Sequence, residues 1–300
     1  MIGTLDKGFV PALGTPMDGE GKFMKESFMR QCKMMLDAGA VGLLAMGSMG
    51  IQATIPFAEC RKVAAAAVEA AAGKVPVYVG AMDCSIVRAK ERMADMEDLD
   101  IEGFVFTTPY YNAVSADQAL NYFKALAAAT KHKIFLYDLP GVTQTKITYA
   151  MVMELIRDVP NMGGIKTADI NMIRKLMLTE EVPAQFKILF SGLDMFDVAY
   201  AYGVTTNLDG MFTVVPANAK KMYDALRAGD TATGAKCLTN IVHLRDFMLA
   251  CPRSLMSAYT AGMNLLGCDG IYNQDYCTPY TEADKEAMKA ELLKIGEVLA

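Results

Sequence analysis

The stretch Met162-Gly-Gly-Ile-Lys-Thr-Ala-Asp169 places a single lysine, Lys166, at the end of a short apolar run. A helix-like stretch follows at residues 171–178, so the run is typical of a strand that leads into a helix. Burial disfavours the charged form of an amine, and a neutral lysine amine can attack a ketone to form a Schiff base. Taken alone, the same lysine could also simply extend its amine from a strand end into solvent.

Strand-like runs alternate with amphipathic helical stretches on both sides of this lysine. The predicted strands lie at residues 8–13, 41–46, 75–79, 101–107, 133–136, 162–165, 186–190 and within 205–212. The predicted helices lie at residues 25–38, 57–72, 85–96, from 115, from 148, 171–178 and 216–228. Helical crossovers imply parallel pairing, and near-continuous apolar strands fit a sheet that is covered on both faces.

Two α/β architectures suit this alternation, a doubly wound open sheet and a closed (β/α)8 TIM barrel. The count of eight strands favours the barrel, and no Gly-x-Gly-x-x-Gly follows the first strand, which counts against a dinucleotide-binding open sheet. After Gly229 the alternation stops, and residues 231–250, 252–266 and 281–299 are predicted to be helices. We therefore predict a barrel that carries the active site over residues 1–228 and a C-terminal three-helix appendage over residues 229–300.

The composition restricts the classes of function. The chain has 29 basic and 34 acidic residues, a net charge of −5 and no basic cluster, so we expect no nucleic-acid partner. No apolar run approaches a membrane span, and the first residues lack a signal-peptide pattern. Seven cysteines without a Cys-x-x-Cys pair predict reduced thiols in a cytoplasmic protein. Because His132 and His243 are far apart, a histidine-based metal site is not expected.

The carboxyl ends of the predicted strands carry the polar residues that a barrel uses for chemistry. The turn Gly47-Ser48-Met49-Gly50 could hold a carboxylate with its amides and the Ser48 hydroxyl, although it could also be an ordinary turn. Tyr137 lies one strand before Lys166, so its phenol could shuttle protons near the amine, or it could be a core tyrosine. We also predict substrate contacts at other strand ends, from Thr15, Asp138 and Gly192.

Four motifs at these strand ends occur in the order that one known family shows. Gly47-Ser48-Met49-Gly50 resembles its G-[ST]-[ST]-G-E turn, and Thr108-Pro109-Tyr110-Tyr111-Asn112 matches its T-P-Y-Y. Tyr137-Asp138-Leu139-Pro140 resembles its Y-N-x-P, and Gly164-Ile165-Lys166 matches its G-[IV]-K. Over most of its length the chain thus resembles the dihydrodipicolinate synthase / N-acetylneuraminate lyase family, whose members are class I, Schiff-base-forming barrels.

The resemblance implies a role for each of these residues. Lys166 would form the imine, Tyr137 would shuttle protons, and Ser48 with the Met49 backbone would hold the carboxylate of pyruvate. Tyr111 matches a tyrosine that in many members reaches into the site of the neighbouring subunit, so we expect a homotetramer or a homodimer. The resemblance implies no metal and no organic cofactor.

Four positions depart from the family pattern. Val142 stands where dihydrodipicolinate synthases have an arginine that binds the carboxylate of the second substrate, so a bidentate clamp is missing. Met49 stands where the family turn has its second hydroxyl residue, and Ile51 stands where that turn has a glutamate. Asp138 stands where the family usually has an asparagine. These changes argue against an acidic aldehyde as the second substrate.

We therefore predict a class I lyase that cleaves a 2-keto-3-deoxy acid reversibly to pyruvate and an aldehyde. The alternatives are a dehydratase that uses the same imine, and a 4-hydroxy-tetrahydrodipicolinate synthase that condenses pyruvate with aspartate semialdehyde. A third alternative is a non-catalytic 2-oxo acid sensor, since Met49, Ile51 and Val142 depart from the pattern. Because Lys166 and Tyr137 carry the chemistry and both are kept, the sequence favours an enzyme.

Overall fold

The structure, a computed structural model that describes residues 8–300, contains eight parallel strands in one sheet. The strands are β1 (Gly8–Pro11), β2 (Leu43–Ala45), β3 (Val77–Gly80), β4 (Gly103–Thr107), β5 (Lys133–Tyr137), β6 (Met162–Thr167), β7 (Lys187–Phe190) and β8 (Thr206–Asp209). Their order in the sheet is β1, β8, β7, β6, β5, β4, β3, β2. A parallel bridge between Ala12 and Leu44 joins β1 to β2 and closes the predicted (β/α)8 barrel.

Helices separate the strands and cover the outside of the barrel. They are α1 (Lys25–Asp37), α2 (Phe57–Ala71), α3 (Ile86–Met96), α4 (Ala116–Ala127), α5 (Pro140–Thr143), α6 (Tyr149–Asp158), α7 (Ile170–Leu178), α8 (Phe196–Ala201), α9 (Pro216–Arg227), α10 (Thr231–Leu249), α11 (Leu255–Leu265) and α12 (Glu282–Lys294). Ser85 caps α3, and Ser115 forms the predicted capping box with Gln118 at the start of α4. Helices α10 to α12 confirm the predicted C-terminal helices.

Two short helices differ from the predicted elements. Helices α5 and α8 were not predicted, since four and six residues are too few to show a helical period. Strand β8 lies within the predicted range 205–212, which confirms that prediction. The residues after it, Met211–Val214, form a buried 3₁₀ helix.

The apolar core has two layers, one inside the barrel and one between the strands and the helices. Alternate strand residues point into the barrel, as the two-residue period of a strand requires. The interior layer includes Val10, Leu44, Tyr78, Phe135, Leu189 and Leu208. The outer layer is larger and continues without a break into α9, α10 and α11. The filled interior leaves the carboxyl ends of the strands as the place for a site.

Two polar contacts between the C-terminal residues and the barrel bear on the site and on the end of the chain. The segment 267–280, between α11 and α12, runs to the barrel mouth, where Ile271 N–H donates to the Met17 carbonyl at 2.9 Å. Glu297 accepts hydrogen bonds from the amides of Ala217 and Asn218, the second and third residues of α9. The boundary that we placed between residues 228 and 229 stays a prediction.

Two further predictions concern a signal peptide and membrane-spanning segments. Residues 1–7, where we expect no signal peptide, lie outside the described residues. Within residues 8–300, no helix combines the length and the apolar character that crossing a bilayer requires.

Candidate active site

The mouth of the barrel brings Lys166 and Tyr137 together. They are register partners on the adjacent strands β6 and β5, so both side chains point into the barrel. Both are 6% exposed, and Lys166 Nζ lies 3.7 Å from the centroid of the Tyr137 ring. Among residues 8–300, no carboxylate forms a salt bridge with Lys166. The amine is therefore held against an aromatic face rather than paired with an acid.

The turn after β2 lies beside this pair. The Ser48 hydroxyl donates a 3.4 Å hydrogen bond to the Tyr137 phenol oxygen. Within residues 8–300, the amides of Ser48 and Met49 donate to no backbone or side-chain acceptor, so both are available to a ligand. Thr15 is fully buried, and its hydroxyl donates to the Gly50 carbonyl at 2.8 Å. Thr15 thus fixes the turn from the neighbouring strand end.

The Met49 side chain spans the mouth from β2 to β8. A Cβ atom on Gly210 would lie 2.5 Å from Met49 Cγ, so the methionine packs directly on this glycine. Gly192, after β7, has a similarly close neighbour, because a Cβ atom there would lie 2.5 Å from the Phe190 ring. Gly210 therefore leaves room for the Met49 side chain, and Gly192 leaves room for the Phe190 ring. Any other residue at either position would collide with that neighbour.

Asp138 lies behind β5 and takes part in a network of hydrogen bonds. Its carboxylate accepts from the Thr167 hydroxyl at 2.9 Å, from the Ile147 amide at 3.0 Å and from the Lys146 amine. Lys146 also pairs with Asp169 at 3.0 Å. The structure thus places the Asp138 carboxylate with Lys146 and Thr167, not with the Lys166 amine.

The two tyrosines of the Thr108-Pro109-Tyr110-Tyr111 motif differ in environment. Tyr111 is 81% exposed, which is high for so large an aromatic side chain. Tyr110 is half-buried and lines the mouth; burial and the neighbouring Cys84 thiol raise its pKa to about 12. The Tyr110 phenol is therefore neutral at physiological pH. Within this chain, the structure does not bring Tyr111 to the Lys166–Tyr137 pair.

A cavity of about 230 Å³ opens beside Ser48. It is lined by the turn after β2, by Thr107 and Tyr110 at the end of β4, by Leu139 and Val142 after β5, and by Gln274 and Tyr276 of the 267–280 segment. We did not predict the contribution of this segment, because residues so far along the chain give no local signal of where they pack.

Two polar residues of the mouth were missed in the sequence. Asp209 ends β8, and its carboxylate accepts the Met211 amide at 2.8 Å; burial raises its pKa, and the positive charge of Lys166 opposes that rise. The predicted range 205–212 contains β8 but did not fix where the strand ends, so Asp209 was not identified as a strand-end residue. Gln52 lies in the 3₁₀ helix Gln52–Thr54 and lines the cavity at 2% exposure. Within residues 8–300, no group of three His, Cys, Asp or Glu side chains is arranged to hold a metal ion.

Comparisons with known sequences and solved structures show which proteins this chain is similar to. Residues 6–295 match the sequence profile of the dihydrodipicolinate synthetase family. A 4-hydroxy-tetrahydrodipicolinate synthase of Acidiphilium cryptum is 29% identical, over 96% of this chain and 98% of its own. That of a Shewanella species is 32% identical, over 74% of this chain and 76% of its own. The solved N-acetylneuraminate lyase of Proteus mirabilis superposes with a TM-score of 0.88 at 18% identity, over 98% of this chain and 100% of its own.

Proposed function

The chain belongs to the dihydrodipicolinate synthetase family, and from this premise we propose that it is a class I lyase that acts on pyruvate or another 2-oxo acid through an imine on Lys166. The observation that carries the proposal is the Lys166 amine, which is buried, lacks a carboxylate partner among residues 8–300 and lies 3.7 Å from the Tyr137 ring centroid. A buried lysine amine that is not engaged in an ion pair is placed to attack a carbonyl carbon.

The 2-oxo acid binds by its carboxylate at the turn after β2. The free amides of Ser48 and Met49 and the Ser48 hydroxyl are the donors, because an anion is held well by adjacent backbone N–H groups. Thr15 holds this turn in place through the Gly50 carbonyl. Binding at this point puts C2 of the acid toward the barrel axis, where Lys166 attacks it.

Cleavage of a 2-keto-3-deoxy acid then proceeds through this imine. The Lys166 nitrogen adds to C2, and the Tyr137 phenol gives its proton to the departing hydroxyl, so that one water leaves and the protonated imine remains beside a phenolate. The phenolate takes the proton of the C4 hydroxyl, the C3–C4 bond breaks, and its electron pair moves into the imine to give an enamine. C4 leaves as an aldehyde carbonyl. Tyr137 then protonates C3, and hydrolysis of the resulting imine by one water releases pyruvate, restores the amine and returns the proton to Tyr137.

A second function, 4-hydroxy-tetrahydrodipicolinate synthesis, is favoured by the names of the curated relatives at 27–32% identity. That reaction joins pyruvate to aspartate semialdehyde, whose carboxylate needs a cation in the site. Val142 occupies the position of the family arginine and is 58% exposed at the cavity wall. The missing guanidinium favours cleavage of a 2-keto-3-deoxy acid as the main activity.

The protein is also proposed to be a cytoplasmic homotetramer or homodimer. Tyr111 supports the assembly, because an 81% exposed tyrosine next to the mouth is typical of a residue that a second subunit covers. The seven cysteines are all free thiols, which supports a cytoplasmic location because disulfides are rare there. Light scattering of the wild type and of Tyr111→Ala tests the assembly, and a monomeric wild type would refute it.

Trapping of the imine tests the central step. The protein is incubated with pyruvate and borohydride, its intact mass is measured, and the labelled peptide is mapped. We expect one reduced pyruvate adduct on Lys166, absent in Lys166→Ala and present in Lys187→Ala, a control lysine that pairs with Glu102 beneath the barrel. An unmodified wild type, under conditions that label a known member of the family, would remove the Schiff-base mechanism.

A further inference from the structure

A buried polar cluster lies behind the ends of β5 and β6, outside the mouth. The Asp138 carboxylate is at its centre and accepts from the Thr167 hydroxyl at 2.9 Å, from the Ile147 amide at 3.0 Å and from the Lys146 amine. Asp138 is 5% exposed, and Thr167 is fully buried. The Thr167 hydroxyl also accepts from the Asp169 amide at 3.0 Å, so it is used both as a donor and as an acceptor. Each of these groups has a partner, which gives the cluster one preferred geometry.

The cluster joins the two residues that follow Tyr137 and Lys166 in the sequence. Because Tyr137 and Lys166 point into the barrel, their chain neighbours Asp138 and Thr167 point to the outer face of the sheet. The pair Tyr137 and Lys166 is the last register pair of β5 and β6, and beyond it the Asp138 amide donates to the Lys166 carbonyl at 2.9 Å. The hydrogen bond between the Asp138 and Thr167 side chains therefore holds the two strand ends together one step beyond the ladder.

This cluster is better suited to fixing a geometry than to stabilising the fold. A carboxylate that is taken out of water loses hydration energy, and apolar side chains of similar volume often stabilise the same place equally well. The Lys146 side chain is 39% exposed, so water weakens its attraction for the buried acid. A catalytic group that is displaced by about 1 Å, in contrast, can lose about 10²-fold in rate. Directed hydrogen bonds beside Tyr137 and Lys166 therefore matter more for reaction geometry than for stability.

Resting on the proposed Schiff-base activity, we propose that Asp138 and Thr167 are positioning residues, whose hydrogen bond keeps the Tyr137 phenol within reach of the imine on Lys166. Both residues act through their chain neighbours, from the outer face of the sheet. Lys146 supports the arrangement, because it pairs with the Asp138 carboxylate and also with Asp169 at 3.0 Å. Loss of the hydrogen bond lets the ends of β5 and β6 shift against each other, which slows proton transfer by Tyr137.

Exchange of the methyl protons of pyruvate in D₂O is an assay that needs no second substrate. The Tyr137 phenolate takes a proton from C3 of the imine, the phenol exchanges it with solvent, and a deuteron returns to C3 of the enamine. Proton NMR measures the rate of exchange, and its dependence on pyruvate concentration gives kcat and KM. A wild type that forms the imine without exchanging these protons would overturn the inference, since a positioned phenol should catalyse this step.

Thr167→Val tests the hydrogen bond with a small change in shape. It removes the hydroxyl, so kcat for exchange should fall about tenfold to a hundredfold, in proportion to the displacement of the phenol. KM for pyruvate should stay within about twofold, because the turn after β2 that holds the carboxylate is unchanged. Thr167→Ser keeps the hydroxyl and should exchange within about threefold of the wild-type rate. An unchanged kcat in Thr167→Val would overturn the proposal, and so would an equal loss in Thr167→Ser.

Thr260→Val is the matched control for the loss of a buried hydroxyl. Thr260 is 3% exposed, and its hydroxyl donates to Asn273 Oδ1 at 2.8 Å and accepts from the Tyr272 amide at 3.1 Å. It lies on α11 and not beside the Lys166–Tyr137 pair. The control should lower the urea midpoint about as much as Thr167→Val does and keep kcat within about twofold. An equal loss of kcat in both variants would mean that reduced stability is the cause, and the positioning role would fall.

A double variant tests whether the two residues act through one hydrogen bond. Asp138→Ala should lower kcat for exchange at least as much as Thr167→Val does. Adding Thr167→Val to Asp138→Ala should lower kcat little further, because the bond is already lost. Effects that multiply in the double variant would show that the residues act separately and would overturn the proposal.

Imine trapping in the same samples separates this inference from the proposed function. A Lys166 adduct in the wild type and in Thr167→Val, together with equal exchange rates, removes only the positioning role of Asp138 and Thr167. A wild type that forms no adduct with pyruvate removes the Schiff-base activity and this inference with it.

Discussion

Tyr137 and Lys166 occupy matched positions on neighbouring strands, and the lysine amine lies 3.7 Å from the centroid of the tyrosine ring. Tyr137→Phe keeps that ring and removes only the phenol. We expect cleavage of a 2-keto-3-deoxy acid to slow by about 10²–10⁴-fold, the usual contribution of a positioned acid–base group. The pyruvate adduct on Lys166 should still form under borohydride. Ser48→Ala removes the hydroxyl that donates to the Tyr137 phenol and should have a smaller effect on kcat. Equal kcat in Tyr137→Phe and wild type would contradict the prediction.

The barrel and the contact between Lys166 and Tyr137 could be predicted because they depend on local patterns. Each strand is a short apolar run, and helices such as α3 and α4 begin at recognisable N-caps, Ser85 and Ser115. Parallel register then places the ends of β5 and β6 side by side. The sequence pattern therefore predicts that Lys166 and Tyr137 lie side by side, as the register shows.

The rest of the site depends on long-range packing and on side-chain direction, which the sequence does not encode locally. Gln274 reaches the mouth only because the 267–280 segment crosses over it from the C-terminal helices. Asp138 follows Tyr137 directly, yet its carboxylate binds Lys146 and Thr167 behind the strand. Asp209 was not predicted, because the pattern placed β8 within residues 205–212 without fixing its last residue.

The backbone of Ala72, at the end of α2, offers a stability prediction. Ala72 is exposed and adopts a left-handed conformation, with φ of 47°, in which a Cβ atom costs about 1–2 kcal/mol. Ala72→Gly should raise the free energy of unfolding by up to about 1 kcal/mol, since the added flexibility of the unfolded chain offsets part of the gain. Urea denaturation measures the difference.

The matched control for that substitution lies at the end of α4. Ala128 is also exposed but has an ordinary right-handed φ of −70°. Ala128→Gly should therefore lower the free energy of unfolding by about 0.5–1 kcal/mol. If both glycine variants shifted in the same direction, the left-handed conformation of Ala72 would not be the cause.

Glu297, near the end of the chain, forms hydrogen bonds with the first turn of α9. Its carboxylate accepts from the Ala217 amide at 2.9 Å and from the Asn218 amide at 2.8 Å, and the side chain is 4% exposed. Glu297→Ala leaves these donors without an acceptor and should lower the free energy of unfolding by roughly 2–4 kcal/mol. Glu286→Ala, at an exposed site with a 3.9 Å ion pair to Lys289, should change it by less than about 0.5 kcal/mol. Equal effects of the two variants in urea would show that the contact is not stabilising.

The buried carboxyl of Asp83 is expected to make the free energy of unfolding depend on pH in the acidic range. It is 1% exposed and pairs with Arg88 at 2.5 Å and Arg92 at 3.3 Å. Burial acts to raise the pKa of this carboxyl, but hydrogen bonds from Arg88, the Ser85 amide and Arg92 outweigh it and hold the pKa below 3.8. The contribution of Asp83 to the free energy of unfolding is therefore complete above about pH 4 and is lost as the pH falls through the lowered pKa.

Asp83→Asn should consequently be less stable than the wild type at neutral pH, with a difference that shrinks as the pH falls from about 5 to about 2.5. Urea midpoints at a series of pH values measure this convergence. Asp117→Asn changes an exposed acid that forms no ion pair within residues 8–300, so at neutral pH it should lower the urea midpoint less than Asp83→Asn does. Parallel pH curves for the wild type and Asp83→Asn would mean that the two arginines hold Asp83 no more strongly than water does, because only a carboxyl whose pKa differs between the folded and unfolded states makes stability depend on pH.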